Sequence, residues 1–204
     1  MSQRRWSIGP ELTNAGVQFR VWAPSRTRVA VAIDGREHAL AAEDDGYFAG
    51  VVRDAKAGTR YRFKLDDDRD TYPDPASRFQ PDGPHGDSVV VDPAYEWTDA
   101  QWRGVALEDA VIAEVHIGTF TAEGTFAAAA ERLSQLRDVG INVIELMPVN
   151  EFPGTFGWGY DGVDLYAPTR LYGTPADFRA LVDAAHAQQI AVVLDVVYNH
   201  LGPD

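Results

Sequence analysis

The chain has 204 residues, of which 45% are hydrophobic, a formal net charge of −13 and no cysteine. That charge argues against nucleic acid and anionic membranes as partners, because both are bound by basic patches, and the lack of cysteine excludes disulfides and thiolate chemistry. Residues 1–5 are polar and no apolar run approaches the roughly 18 residues of a membrane span, so we expect a cytoplasmic protein.

The first half of the chain predicts a small antiparallel β-domain. Short segments with the alternation or composition of strands are separated by turn residues: Val17–Trp22, Arg28–Ile33, Tyr47–Val52, Arg60–Leu65 and Val89–Val91. Asp34-Gly35 is a strong two-residue hairpin turn. Short strands at this spacing are typical of a β-sandwich. The alternation does not distinguish a ligand-binding module from a packing domain.

Two motifs in this half resemble a known domain. The run Phe19-Arg20-Val21-Trp22-Ala23-Pro24 is similar to the entry motif of the N-terminal immunoglobulin-like domain of glycogen branching, debranching and maltooligosyltrehalose trehalohydrolase families. The Pro/Gly/Asp-rich loop Tyr72–Gly86 most resembles the trehalohydrolase branch; we expect an ordered interdomain loop, with direct sugar contact as the alternative. A polar connection with aromatic anchors follows, and we place the domain boundary near Leu107, giving domains of residues 1–106 and 107–204.

The second half predicts the order βαβαβ. Strands are expected at Val111–Ile117, Ile141–Val149 and Ala191–His200. A first helix is expected between a Thr125 cap and a stop at Gly140, and a second opens at Thr174 with Pro175 at its first position. Strands that alternate with helices pair in parallel. The pattern leaves an open doubly wound sheet and the start of a barrel as alternatives, although no glycine-rich dinucleotide fingerprint follows any strand.

The last predicted strand is mostly apolar but carries three polar residues of interest from its middle onward. Six of the first seven residues from Ala191 are apolar, which predicts a strand buried on both faces. Asp195 is the exception, and a lone buried carboxylate costs several kcal/mol unless it is paired. Asn199 and His200 follow at the carboxyl end, where α/β barrels place their chemistry.

This Asp-x-x-x-Asn-His pattern resembles the first signature region of the α-amylase superfamily of glycoside hydrolases. The resemblance, which runs from about Val17 to the end of the chain, selects the barrel. The fold class that it implies is an immunoglobulin-like β-sandwich followed by the first βαβαβ part of a TIM barrel. Because three of eight strands cannot close a barrel, we expect uncovered apolar faces, and poor solubility or partial disorder in the second half.

The same resemblance implies substrate-contacting residues. The stretch from Trp158 to Pro168 is similar to the loop after the second barrel strand of trehalohydrolases and branching enzymes. By that resemblance Tyr166 is a platform under the sugar at the cleavage subsite, His200 hydrogen-bonds the same sugar and Asp195 orients neighbouring groups. Trp158 and Tyr160 are further candidates, for which packing is an equal alternative. The alternatives for Tyr166 and Asp195 are loop packing and a satisfied buried carboxylate.

Other polar residues of this half are expected to be structural. We assign that role to His116, Glu145 and Glu151. Asn199 matches an amylase residue that helps to hold calcium, but we expect a structural hydrogen bond here. The five histidines are scattered, so the sequence predicts no metal site, and no cofactor is implied.

The implied activity is hydrolysis of the α-1,4 linkage of maltooligosyl trehalose to release trehalose, by a retaining mechanism. The nucleophile and general acid of the superfamily come from strands four and five, beyond Asp204, so we expect no catalytic residue here and an inactive 204-residue polypeptide. The expected partner is an α-glucan or maltooligosyl trehalose. The alternatives are a branching or debranching relative, a glucan-binding module that uses Trp22, Trp97 or Trp102, and a fragment without its own function.

Overall fold

The computed structural model describes residues 4–202. The chain forms two compact units: one ends at Asp92 and includes Asp164–Ala167, and the other comprises Pro93–Val163 and resumes at Pro168. The domain boundary near Leu107 stays a prediction. Of the helices within residues 4–202, none has the length and apolar character needed to cross a membrane.

The first unit is a sandwich of antiparallel strands. In chain order these are β1 (Glu11–Thr13), β2 (Gly16–Trp22), β3 (Val29–Ile33), β4 (Arg36–Ala39), β5 (Ala41–Ala42), β6 (Tyr47–Val52), β7 (Arg60–Leu65), β8 (Thr71–Tyr72) and β9 (Ser88–Val89). One sheet has the order β1-β2-β6-β5 and the other β4-β3-β7-β8, with β9 also paired to β7. The predicted β-sandwich is confirmed, and β6 and β7 have the predicted bounds.

Alternation along the strands builds the core of this unit. Tyr61 and Phe63 on β7 are buried, as is Phe19 on β2, and the rings of Phe19 and Tyr61 meet edge to face at 4.9 Å. Asp34 and Gly35 join β3 to β4 with φ values of 48° and 74°, the backbone of the predicted hairpin turn.

The second unit is a parallel sheet with helices. Its elements are β10 (Ile112–Val115), α1 (Ile117–Phe120), α2 (Phe126–Ala130), α3 (Leu133–Asp138), β11 (Val143–Leu146), β12 (Asn150–Glu151), β13 (Asp164–Pro168, shared with the first unit), α4 (Pro175–Ala187) and β14 (Ala191–Leu194). The sheet has the order β10-β11-β14, and both pairings are parallel. The predicted βαβαβ order is confirmed.

The helix ends follow their capping residues. Thr125 accepts a hydrogen bond from the amide of Ala128, as its predicted cap role requires. Thr174 and Asp177 form a reciprocal capping box at the start of α4, and Pro175 stands at its first position. The expectation of one helix between Thr125 and Gly140 was wrong, because α2 and α3 are separate. The apolar stripe Phe126, Ala129 and Leu133 runs through both, so periodicity did not reveal the break.

The two faces of the parallel sheet differ in polarity. Ile144 and Leu146 of β11 are buried among the residues of α2, α3 and α4. Because side chains alternate along a strand, Glu145 lies on the opposite face, and its parallel register partner is Glu114. The helices therefore cover one face, and carboxylates occupy the other.

The prediction that the last strand is buried on both faces was wrong. Val193 of β14 is 46% exposed and Leu194 is 39% exposed. β14 has β11 as its neighbour and forms an edge of the sheet within residues 4–202. An edge strand leaves apolar side chains in contact with solvent, so uncovered apolar surface is confirmed in this unit.

Candidate functional site

A cleft of about 470 Å³ opens where β10 and β11 end. The carboxyl ends of parallel strands are the usual place for a binding site in this kind of fold. Aromatic and polar side chains share the lining: Glu114, His116, Gly118, Thr119, Met147, Phe152, Thr155, Phe156, Gly157, Trp158 and Tyr172. All of these residues belong to the second unit.

Two exposed aromatic rings form one wall of the cleft. Phe156 is 93% exposed and Trp158 is 73% exposed, whereas Phe152 beneath them is buried. A Cβ at Gly157 would lie 2.9 Å from the Phe152 ring, so the residue between the two exposed aromatics has room only for glycine. The loop is thereby anchored on Phe152 and offers two apolar ring faces, which suit the apolar faces of sugar rings.

His116 contacts three other residues that line the cleft. Its Nε2 lies 2.9 Å from the carbonyl oxygen of Gly157, an atom that only accepts, so Nε2 carries the proton. Nδ1 then accepts from the Thr119 hydroxyl at 3.1 Å. The Tyr172 hydroxyl lies 3.1 Å from Nε2. The structural role that the sequence predicted for His116 stays a prediction, because the residue also lines the cleft.

Glu114 was overlooked at the level of sequence. It lies on β10 two residues before His116 and lines the cleft together with Met147, the residue that follows β11. Counting alternate positions from the buried Val115 would have placed Glu114 on the uncovered face. Glu145 shares that face, so its expected purely structural role remains a prediction.

Tyr160 joins two of the predicted site residues. Its hydroxyl donates to Oδ2 of Asp195 at 3.1 Å, and its backbone oxygen lies 2.6 Å from Nε2 of His200. The hydrogen bond to Asp195 is the main cause of a raised pKa at the Tyr160 phenol, and the negative charges of Asp195, Glu114 and Glu145 add to it. Asp195 therefore has a partner, although it is only partly buried and not enclosed as the sequence suggested.

The remaining predicted residues are Trp158 and Tyr166. Trp158 lines the cleft, as described. Tyr166 lies in the middle of β13 with its side chain 53% exposed, in the stretch Asp164–Ala167 that groups with the first unit. Both side chains are accessible to a ligand.

Glu151 has a structural partner, which the sequence did not reveal. Its carboxylate is fully buried and pairs with the guanidinium of Arg170, and it also accepts from the Arg170 amide at 2.8 Å. Burial raises the pKa of Glu151, and the contacts with Arg170 oppose that rise. Glu151 also closes the base of the loop that runs from Glu151 to Val163, because the Val163 amide donates to the Glu151 carbonyl at 2.9 Å.

The described residues offer no evident cation site. Within residues 4–202, no three His, Asp or Glu side chains lie close enough together to hold a metal ion. Asn199, the match to an amylase calcium residue, is exposed. Its expected structural hydrogen bond stays a prediction.

Comparison with known families shows to which protein family the chain belongs. Residues 67–204 match the family described as alpha amylase, catalytic domain. The chain belongs to the alpha-amylase family. Residues 7–93 match carbohydrate-binding module 48, the isoamylase N-terminal domain. The two matches follow the predicted order, a β-domain before a glycosidase domain.

Individual relatives agree with the family. The malto-oligosyltrehalose trehalohydrolase of Saccharolobus solfataricus is 46% identical over 97% of this chain and 35% of its own length. A 1,4-alpha-glucan branching enzyme of Photobacterium profundum is 35% identical over 93% of this chain and 30% of its own length. A crystal structure of a Salmonella typhimurium protein aligns with a TM-score of 0.93 at 48% identity, over 97% of this chain and 34% of that one. The chain thus spans about a third of the length of these relatives.

Proposed function

We propose that this chain forms the substrate-binding part of a glycoside hydrolase that cleaves the α-1,4 linkage of maltooligosyl trehalose and releases trehalose. The observation that carries the proposal is the aromatic cleft at the carboxyl ends of β10 and β11, with Trp158 and Phe156 exposed beside it. Similarity to the Saccharolobus solfataricus trehalohydrolase over 97% of the chain supports the choice of substrate. The expected partner is an α-glucan, and a cytoplasmic location fits the composition.

The proposed roles follow from side-chain chemistry. Trp158 and Tyr166 supply ring faces for glucose units. Asp195 supplies an acceptor, and His200 a ring nitrogen, for sugar hydroxyls. Tyr160 belongs to the same group through its hydrogen bonds to both.

Retention of configuration requires a nucleophile and a general acid about 5–5.5 Å apart. By family resemblance, both lie beyond Asp204. We therefore propose that the 204-residue polypeptide alone binds substrate without hydrolysing it.

The test is an assay, with purified maltooligosyl trehalose, of the polypeptide as the cell makes it, which we call the natural polypeptide. The expected products are free trehalose and a maltooligosaccharide whose new reducing end has the α configuration by NMR, as retention requires. In parallel the 204-residue polypeptide should bind the same substrate by calorimetry and release no trehalose. If the natural polypeptide leaves maltooligosyl trehalose intact, the proposed reaction is wrong.

A branching activity is the second candidate, favoured by the 35% identity to the Photobacterium profundum enzyme. New α-1,6 linkages in amylose, counted by NMR after incubation with the natural polypeptide, would select it. A third candidate is glucan binding by the first unit, favoured by the carbohydrate-binding module match and by Trp22, which is 57% exposed. Trp102 is less suited to that role, because its ring is stacked on His186.

A further inference from the structure

A second cavity, of about 670 Å³, lies within the first unit. Its lining comes from the β3–β4 hairpin, from the end of β6 and from residues 54–60, which lead into β7. Small-molecule sites in proteins have volumes of about 300–1,000 Å³. The cavity is therefore large enough for a ligand of the size of a monosaccharide.

The floor of this cavity is apolar. Val52 and Ala55 are buried in the core of the first unit, and Ile33 packs against the same core. Among the lining residues in the described part of the chain, none is Phe, Tyr or Trp. The cavity thus lacks the large ring faces on which glucans stack, and its specificity has to come from its charged and polar groups.

The strand register places two basic side chains on the core-facing side of β4. Residues that oppose each other in an antiparallel pair share one face of the sheet. His38 opposes Val31, which is fully buried, so the shared face is the inner one. Arg36 opposes Ile33 on the same face. Because β4 is an edge of its sheet within residues 4–202, Arg36 and His38 line the cavity there.

Lys56 lines the same cavity from a loop that is hydrogen-bonded internally. Its amide donates to the Thr59 hydroxyl at 2.9 Å, and the Thr59 amide donates back to the Lys56 carbonyl at 3.0 Å. The amide of Gly58 donates to the carbonyl of Val90 at 2.8 Å, which attaches the loop to the segment after β9. The loop is ordered without a ligand, and such preorganisation lowers the cost of binding.

Two cations of the cavity have no ion-pair partner. Arg60, which also lines it, pairs with the carboxylate of Asp82. By contrast, within residues 4–202 neither the Arg36 guanidinium nor the Lys56 ammonium forms an ion pair. In a chain of net charge −13, unpaired cations on one cavity favour an anionic ligand. Guanidinium and ammonium groups are the usual protein partners of phosphate.

We propose that this cavity binds a sugar phosphate. Arg36 and Lys56 hold the phosphate, and the apolar floor lies under the sugar ring. The carboxylates of Asp34 and Asp54, which complete the lining, accept hydrogen bonds from the sugar hydroxyls and disfavour inorganic phosphate alone. The proposal does not depend on the proposed hydrolysis, because no residue of the cleft takes part in it.

The test is calorimetric titration of the natural polypeptide with glucose 6-phosphate, and separately with inorganic phosphate and with glucose. Arg36→Met and Lys56→Met each remove one charge and keep an unbranched side chain. Arg53→Met is the matched control, because Arg53 is an exposed cation of the same unit that does not line the cavity. Thermal unfolding of every variant establishes that it is folded.

We expect Arg36→Met and Lys56→Met each to raise the Kd for glucose 6-phosphate about 10-fold, the effect of one charge-assisted hydrogen bond. Arg53→Met should leave this Kd unchanged, and phosphate and glucose should each bind more weakly than the sugar phosphate. Equal Kd values for glucose 6-phosphate and inorganic phosphate would overturn the assignment of a sugar phosphate. No binding of glucose 6-phosphate at millimolar concentration would overturn the site itself.

Protection of the sheet edge is the competing explanation for the two cations. Charged side chains that face inward on an edge strand prevent sheets from pairing edge to edge. Light scattering of Arg36→Met measures such self-association. If this variant associates while its Kd for glucose 6-phosphate equals that of the parent chain, edge protection explains Arg36 and the proposal is wrong.

A chemical footprint locates the ligand independently of the variants. The 204-residue sequence has two lysines, Lys56 and Lys64. Lys56 is exposed, whereas Nζ of Lys64 contacts the carbonyl oxygens of Asp68 and Arg69. Glucose 6-phosphate should slow the acetylation of Lys56, measured by peptide mass spectrometry, and leave the rate at Lys64 unchanged. An unaltered rate at Lys56 under saturating glucose 6-phosphate would place the ligand elsewhere and overturn the proposal.

Discussion

Asp183 holds Thr98 at two points, because its carboxylate oxygens accept from the backbone amide and from the hydroxyl of Thr98, each at 2.9 Å. Asp183 lies buried on α4. One turn later, Nδ1 of His186 contacts the Asp99 carboxylate at 2.7 Å, and the His186 ring stacks on Trp102. Residues 98–102, which lie in the connection between the predicted domains, are thus held against α4.

Asp183→Ala is expected to release this connection. The change leaves the amide and hydroxyl of Thr98 without their acceptor, which costs about 1–3 kcal/mol of unfolding free energy. Limited proteolysis should then cut within residues 93–106. Asp138→Ala is the control, since its side chain is 68% exposed and its loss should cost no more than about 0.5 kcal/mol. Equal cleavage of the two variants would contradict the prediction.

Asp74 makes the stability of the first unit depend on pH. It is fully buried, and burial raises its pKa from 3.8 to about 6, although the Tyr61 hydroxyl donates to it at 2.6 Å. The folded state therefore binds the proton more tightly than the unfolded state. The contribution of Asp74 to stability is fully present below pH 3.8 and is lost as pH rises through about 6, by about 3 kcal/mol in total.

Asp74→Asn should remove this slope. Asparagine has the same shape and no charge to bury, and the Tyr61 hydroxyl can accept from its amide instead of donating. Urea denaturation between pH 4 and pH 7 measures the difference between the variant and the parent chain. Asp67→Asn, at a side chain 95% exposed, is the control and should keep the parent slope. A slope that persists in Asp74→Asn would locate the titrating group elsewhere.

Gly159 and Gly154 provide a matched pair in one loop. Their φ values are 89° and 83°, but a Cβ at Gly159 meets the Pro148 carbonyl whereas one at Gly154 meets nothing within 4 Å. Gly154→Ala should therefore cost only the backbone strain, about 1–2 kcal/mol. Gly159→Ala should cost more and weaken glucan binding, because the loop must move. Equal unfolding free energies for the two variants would show that the steric contact has no weight.

Arg170→Met should destabilise the second unit strongly. It leaves the buried carboxylate of Glu151 without its counter-charge, a loss of about 3–5 kcal/mol. The pKa of Glu151, already raised by burial, should rise further, so that lowering the pH restores part of the stability. The double variant Glu151→Gln with Arg170→Met should regain stability at neutral pH in urea denaturation. No recovery would indicate that Arg170 acts by its packing and not by its charge.

Trp158 and Trp22 distinguish the cleft from the first unit as the glucan site. Each side chain is well exposed, at 73% and 57%. Trp158→Ala should raise the Kd for maltoheptaose about 10-fold, because one ring face, worth about 1.5 kcal/mol, is lost. Trp22→Ala should leave the Kd unchanged in the same calorimetric titration. The reverse outcome would favour the carbohydrate-binding module as the main site.

Much of the fold was predictable because its signals are local. Alternation set the bounds of β6 and β7, and the residues Thr174, Pro175 and Asp177 set the start of α4. The separation of α2 from α3 was not predictable, because one apolar stripe continues through both. The exposure of β14 was equally hidden, since an apolar run gives the character of a strand and not the number of its neighbours.

The sequence by itself determined the order of strands and helices, the family motifs and the list of aromatic and polar candidates, since these depend on side-chain type and on contacts within a few residues. Only the tertiary structure decided which candidates meet. Tyr160 and Asp195 are 35 residues apart and hydrogen-bonded, and Glu151 reaches Arg170 across 19 residues. Such pairs form because parallel strands bring their carboxyl ends to one edge and a glycine lets the loop approach closely. Neither distance can be derived from the spacing of the residues in the sequence.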